Sequence, residues 1–135
     1  MINVANLRAV EAQESLRLRG AQEETQRRED EVVLAAIECE KGKLPKDVDE
    51  FLARMPLERI ARLQAQYRKG CECLVRGFDF RGQPNSDEGR LQRRCNKAMA
   101  NVWYEWGIRE LVPKGFTMEL NCTEFERKIE VLIMW

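Results

Sequence analysis

The spacing of apolar residues changes from a helical period to a strict alternation near residue 116, and this change limits the folds open to the chain. Upstream, apolar residues recur every three or four positions, as in amphipathic helices. Downstream, two runs alternate apolar and polar residues, as in strands with one buried face. The alternating apolar positions are Phe116, Met118, Leu120 and Cys122, then Ile129, Val131, Ile133 and Trp135. The pattern predicts an α+β fold, mainly helical with four to five helices, in which a C-terminal antiparallel β-hairpin or small sheet packs on the helices.

The first forty residues predict an N-terminal helical arm. They contain no proline and are rich in strong helix formers. The stretch 22–31 has no apolar residue, so it must be solvated, paired or frayed, and we expect two helical segments, the second at 31–40. Gly42 and Pro45 then break the helix. The chain is therefore predicted to divide into an arm, residues 1–42, and a compact α+β domain, residues 43–135.

Three more helices are predicted inside the compact domain. They cover 47–55, about 56–77, and a stretch that Ser86 or Asp87 caps and that Gly107 ends. The apolar stripe on the last of these helices consists of Leu91, Cys95, Ala98, Val102 and Trp106. Trp103 lies off the centre of this stripe. The Gly-rich segment 77–89 is predicted to be a loop. Residues 108–112 are predicted to add a third strand.

The chain contains no histidine among its 135 residues, and this absence restricts its chemistry. No other unperturbed side chain titrates near neutral pH, so the usual proton shuttle is missing. Ser-His and Cys-His nucleophile pairs and His-ligated metal sites are excluded as well. No pair of carboxylates has a recognisable acid-base spacing. We therefore expect a protein that is not an enzyme and that carries no cofactor.

Five cysteines are present, and their spacing is unlike that of a metal site. Structural zinc sites use Cys-x(2–4)-Cys pairs, whereas Cys71 and Cys73 are separated by one residue and a second pair is missing. Packing in the core is the favoured role for Cys71 and Cys95. Cys73 has cationic sequence neighbours, which lower the pKa of a thiol, so a reactive thiol there is an alternative to an incidental surface cysteine.

The charges cancel overall but are unevenly distributed along the chain. There are 23 basic and 23 acidic residues in total; residues 51–114 carry 13 basic and 7 acidic ones, against 8 and 12 in residues 1–50. If 56–77 is helical, basic residues line one face of it, and a second basic face follows on the next helix. The candidate partner- or nucleic-acid-binding residues are Arg59, Arg62, Lys69, Arg76, Phe78, Phe80, Arg81, Arg90, Arg94 and Lys97. The alternative is that these arginines pair with the chain's own carboxylates, including those of the arm, and that the two phenylalanines anchor a loop in the core.

The C-terminal run from Val131 to Trp135 is apolar on both faces. An exposed edge strand of this kind invites pairing with another chain. The run is therefore either the central strand of its sheet or part of a homo-oligomer interface, and the candidate interface residues are Val131, Ile133 and Trp135.

These observations favour a small non-enzymatic binding or regulatory protein that acts through protein–protein contacts and forms homo-oligomers. An inhibitor of a larger macromolecular machine is one form of that hypothesis. No run approaches the ~20 apolar residues of a membrane helix, and the N-terminus lacks the features of a signal peptide. We therefore expect a cytoplasmic protein with reduced cysteines and no membrane partner. The alternative function is a nucleic-acid-binding module that uses the basic helical faces of residues 59–97.

Overall fold

A computed structural model describes residues 3–67, 72–80, 82, 86–123 and 127–135 of the chain. Four α-helices and three β-strands lie in this described part. The helices are α1 (Val4–Lys41), α2 (Val48–Arg54), α3 (Leu57–Tyr67) and α4 (Asp87–Glu110), and a 3-10 turn spans Val112–Lys114. The strands are β1 (Glu72–Asp79), β2 (Thr117–Thr123) and β3 (Lys128–Met134). The predicted α+β fold, mainly helical with a small antiparallel sheet packed on the helices, is confirmed.

Helix α1 is continuous over 38 residues, so the prediction of two segments is wrong. The side chain of Asn3 caps its first turn by accepting a hydrogen bond from the backbone N–H of Asn6. Ion pairs between residues three or four apart cross the polar centre, where Glu24 contacts both Arg27 and Arg28. Such pairs support a helix without an apolar face. At 1.5 Å per residue the helix is about 57 Å long.

The sheet is antiparallel with the strand order β1-β3-β2. Strands β2 and β3 agree with the two alternating runs, and the predicted turn residues 124–126 lie outside the described residues. The third strand is not the predicted segment 108–112. It is β1, which the sequence pattern had placed partly in a helix and partly in a loop.

A register shift in β1 explains why its pattern is not alternating. The pairing with β3 is interrupted between Leu74 and Arg76, which is a β-bulge that turns the following residues over. Cys73 before the bulge and Val75 within it pack against the core, and Phe78 does so after it. The apolar positions are therefore odd-numbered and then even-numbered, and no single period describes them.

Gly107 does not end α4, which continues to Glu110. A Cβ atom at Gly107 would lie 2.3 Å from Cε and 3.2 Å from Cγ of Met118 on β2. The glycine therefore permits a close approach between helix and sheet, rather than stopping the helix. The cap is as predicted, because Ser86 Oγ accepts a hydrogen bond from the backbone N–H of Gly89 at 3.0 Å.

The core lies between α4 and the sheet. Its buried members are Phe51, Phe78, Ala100, Trp103, Trp106, Leu111, Met118, Val131 and Ile133. Trp103 belongs to this core, although its spacing set it off the centre of the apolar stripe. The C-terminal half of α1 packs on α4, so this part of the predicted arm is joined to the domain. Within the described residues, no helix has both the length and the apolar content needed to cross a membrane.

Candidate functional site

The structure disperses the predicted basic surface over several elements. Arg59 and Arg62 are exposed on α3, while Arg90, Arg94 and Lys97 lie on α4. Arg76 lies on a strand rather than on the predicted helix, so it does not continue the face formed by α3. Lys69 and Arg81 lie outside the described residues. The helical face predicted over 59–76 is therefore interrupted, whereas Arg90, Arg94 and Lys97 share one helix, α4, as the spacing predicts.

Arg76 forms an ion pair with a carboxylate of α1, although part of its side chain remains exposed. Its Nε donates to Oε1 of Glu40 at 2.8 Å, and Nε1 of Trp103 donates to the same oxygen at 2.7 Å. Lys43 Nζ lies 3.4 Å from the other carboxylate oxygen. The side chain of Glu40 is 1% exposed, whereas that of Arg76 is 37% exposed. This cluster joins the end of α1 to both α4 and β1.

Burial and hydrogen bonding act in opposite directions on Glu40. Burial raises the pKa of its carboxyl group. The hydrogen bonds from Trp103 and Arg76 lower this pKa and together outweigh burial, so the pKa lies below its ordinary value. The carboxylate is therefore charged at neutral pH. Its three partners satisfy it, which is the condition for keeping a buried charge.

Arg94 forms a second contact between α1 and α4. Its guanidinium lies 2.8 Å from Oδ1 of Asp30 and 3.5 Å from Oε2 of Glu29. The hydrogen bond from Arg94 holds the pKa of Asp30 below its ordinary value. Arg90 pairs with Asp87 and Arg62 pairs with Glu58 within their own helices. Several predicted binding arginines thus have intramolecular carboxylate partners, as the alternative interpretation required.

Phe78 and Phe80 are buried, so they do not present free rings for stacking on bases. Phe78 lies in β1, and the Arg76 guanidinium carbon is 4.9 Å from its ring centroid. The Arg93 guanidinium carbon is 5.2 Å from the ring centroid of Phe80. Both geometries are those of cation–π contacts. Phe78 belongs to the core, and residues 77–79 lie in β1, so the loop prediction is wrong for these three residues. Phe80 follows the end of the strand.

A pocket of about 170 Å³ opens between α4 and the end of the sheet next to these rings. Its cations are Arg93 and Lys97 from α4 together with Arg127 and Lys128 at the start of β3. The remaining described lining residues are Phe78, Phe80, Asn96, Cys122 and Ile129. No carboxylate is among these described residues. All the charged side chains in the described lining are therefore cations.

Val131 and Ile133 are fully buried at 0% exposure in the central strand. They therefore present no surface to a second chain, which corrects the prediction that they form an oligomer interface. Trp135 is 39% exposed and packs edge-on against Phe116 with the ring centroids 6.3 Å apart. The central position of β3 removes the free edge on which strand pairing would depend.

The thiol of Cys73 does not have the environment of a reactive cysteine. It is half-buried on β1, and burial raises the pKa of its thiol above the ordinary value. The described cysteines Cys39, Cys73, Cys95 and Cys122 are free thiols. In the described residues no three cysteine or acidic side chains are grouped to hold a metal ion. Cys71 lies outside the described residues.

We expect iodoacetamide at pH 7.5 to modify Cys39 and Cys122 at least about threefold faster than Cys73, because only the thiolate reacts. Cys39 and Cys122 are exposed, whereas burial protects Cys73 and disfavours its thiolate. Peptide mass spectrometry measures the rates, and fragment spectra separate Cys73 from Cys71. The difference should disappear in urea. Equal rates in the native protein would contradict the prediction.

Sequence reasoning missed Glu40, Arg127 and Lys128. Glu40 looks like any charged residue near a helix end, and no local signal marks it as buried. Arg127 and Lys128 follow the weak turn signal between the two strands, and this position could have suggested that they lie at a sheet end. Comparisons of the chain with protein-family models, curated proteins and solved structures found no match.

Proposed function

We propose that this is a non-enzymatic cytoplasmic binding protein whose N-terminal helix docks on a protein partner. The part of α1 that carries the proposal is residues 4–23, which we name the free arm. Regulation of that partner, including inhibition of a larger machine, is the role this proposal favours. The observation that carries it is the contrast between the two halves of α1.

Every residue from 3 to 23 is exposed, whereas the later half of the same helix contacts α4. The free arm is about 30 Å long at 1.5 Å per residue. It nevertheless holds five large apolar side chains in solvent: Val4, Leu7, Val10, Leu16 and Leu18. Single exposed apolar residues are ordinary. Five on one unpacked helix provide the anchors that helix-in-groove recognition uses.

Two of these side chains define a docking face. Leu7 and Leu18 are eleven residues apart, which is about three helical turns, so they lie on one side of α1. Full burial of a leucine side chain contributes about 1.5–3 kcal/mol. Most of the stability of helices in proteins comes from the packing of an apolar face, and the exposed free arm lacks such packing. Contact with a partner would bury these anchors and stabilise the free arm at the same time.

A double substitution on the free arm tests the proposal. We expect the full chain with Leu7→Glu and Leu18→Glu to lose partner binding by at least about tenfold, since two anchors would become charged. The partner is first captured from a lysate of the source cell by the wild-type chain, and its affinity for each purified variant is then measured directly. Leu63→Glu, an exposed leucine on α3, is the matched control and should bind normally. Binding of the arm variant with wild-type affinity would refute the proposal.

The exposed free arm is also the surface through which we expect a homo-oligomer to form. Light scattering on the full chain during size-exclusion chromatography separates a self-associating arm from an arm that binds another protein. If the partner is a second copy, the mass doubles in the wild type and returns to that of one chain in the Leu7→Glu, Leu18→Glu variant. Removal of residues up to 42 is unsuitable for this experiment, because it also removes Glu40 and the packing of α1 on α4.

Nucleic-acid binding is the second candidate function, and the cationic pocket supports it. Of the predicted residues, Lys97 lines that pocket with the rings of Phe78 and Phe80. Arg76, Arg90 and Arg94 favour it less, because each has a carboxylate partner. Phosphate contacts by the cations of the pocket would make the affinity for nucleic acid fall steeply as the salt concentration rises.

A further inference from the structure

We propose that the pocket between α4 and the end of the sheet binds the phosphate group of a phosphorylated ligand. The ligand class follows from the positive charge of the lining, from the absence of carboxylate partners for that charge among the described residues, and from the size of the pocket. The proposal goes beyond the docking of the free arm, and neither depends on the other.

The four cations of the pocket come from two separate elements. Arg93 and Lys97 are one turn apart on α4, so they point to the same side of the helix. Lys128 is the first residue of β3, and Arg127 directly precedes it. Residues 30 to 35 positions apart in sequence thus supply four positive charges to one pocket of about 170 Å³.

None of these four cations forms an ion pair with a described residue. This distinguishes them from Arg76 and Arg94, which carboxylates of α1 neutralise. Asp79 is the register partner of Lys128, yet it does not line the pocket. Glu124 and Glu126, close to Arg127 in sequence, lie outside the described residues. Four cations without a carboxylate partner among the described residues repel one another at this place, and a dianionic phosphate group would remove that repulsion.

Hydrogen bonds to backbone carbonyls fix the walls of the pocket relative to one another. The Phe80 N–H donates to the Arg127 carbonyl at 2.8 Å, and Asn96 Nδ2 donates to the Asp79 carbonyl at 3.5 Å. The backbone φ angle of Arg127 is 53°, in the left-handed region that residues other than glycine rarely adopt. Such strain persists where surrounding contacts impose it, and it is frequent at ligand sites. Arg127 also donates through Nη1 to the Gly82 carbonyl at 3.2 Å, and its other guanidinium N–H groups have no acceptor among the described residues.

The remaining wall is apolar and partly excludes water. Phe78 and Phe80 are buried, and Ile129 is half-buried beside them. An apolar wall strengthens the attraction between the cations and an anion, because the local dielectric constant is lower than in water. The volume is several times the ~30 Å³ that one water molecule occupies. It is below the roughly 300–1,000 Å³ of sites that bury a whole drug-sized ligand, so the pocket would hold the phosphate group while the rest of the ligand lies outside.

The test titrates the full chain at low salt with three probes: inorganic phosphate, AMP and a fluorescein-labelled oligothymidylate. Calorimetry follows the first two probes and fluorescence anisotropy follows the third. We expect at least one probe to bind, and we expect Lys97→Gln with Lys128→Gln to weaken that binding at least about tenfold. Lys97→Arg with Lys128→Arg keeps both charges and should restore most of the affinity. Circular dichroism verifies that each variant is folded.

The matched control is Arg109→Gln with Lys114→Gln, which removes two exposed cations outside the pocket, at the end of α4 and in the 3-10 turn that follows it. We expect this control to bind every probe within about twofold of the wild type. Binding of phosphate and AMP supports a small phosphorylated ligand, whereas binding of the oligonucleotide alone supports the phosphates of a nucleic-acid strand. The proposal is overturned if no probe binds the wild type, or if the control weakens binding as much as the pocket variant.

Discussion

Replacing Glu40 with Ala is expected to lower the free energy of unfolding by about 2–4 kcal/mol at neutral pH. The substitution leaves the Trp103 indole N–H without its acceptor and the Arg76 guanidinium without its carboxylate. The cost is below that of a fully buried pair because Arg76 is partly exposed. Urea unfolding followed by tryptophan fluorescence measures the change. Glu38→Ala, at an exposed position one half-turn away, is the control and should cost less than about 0.5 kcal/mol.

The same carboxylate predicts a dependence of stability on pH. The pKa of Glu40 is below its ordinary value in the folded chain, so the folded state holds the proton less tightly than the unfolded state does. The resulting stabilisation is complete above the unfolded pKa, near 4.3, and it is lost as the pH falls through the folded pKa. Glu40→Gln should therefore lose less stability than the wild type between about pH 5 and pH 3. Identical losses in the two proteins would contradict this assignment.

Replacing Ile133 with Ala is expected to destabilise the chain by about 2–5 kcal/mol, because the deletion leaves a cavity in the core. Ile133 is fully buried in the central strand and pairs with Cys73 on one side and Met118 on the other. The loss should be the same at low and high protein concentration, since the burial is within one chain. An interface residue would instead give a loss that depends on concentration.

Trp135→Ala is the matched control on the same strand end. Trp135 is partly exposed and contacts Phe116 edge-on, so its loss should cost about 1 kcal/mol. Thermal unfolding over a hundredfold range of protein concentration, together with light scattering, separates the two interpretations. A concentration-dependent loss for Ile133→Ala would restore the interface prediction that the central position of β3 argues against.

Local signals in the sequence were sufficient for the elements whose pattern is regular. Ser86 predicts the start of α4 because a side-chain oxygen can cap the helix without help from the rest of the fold. The alternating runs predict β2 and β3 because their core-facing side chains fall on alternate positions, Met118 and Leu120 in β2 and Val131 and Ile133 in β3. The α+β class follows from these elements together.

Irregular elements were not predictable in the same way. The bulge in β1 shifts its buried face between Val75 and Phe78, so the run resembles neither a strand nor a helix. Gly107 resembles a helix end, but the approach of Met118 from β2 is what requires the missing side chain. Both features depend on contacts between segments that are distant in sequence.

The sequence by itself determined the absence of histidine chemistry, the α+β class and the unequal distribution of charge. Only the tertiary structure decided what each charge does. Arg76 and Arg94 are neutralised by the end and the centre of α1, whereas Arg93, Lys97, Arg127 and Lys128 share a pocket without a described carboxylate. The physical reason is that electrostatic energy depends on distance and burial. Residues tens of positions apart in sequence become near neighbours only when the chain has folded.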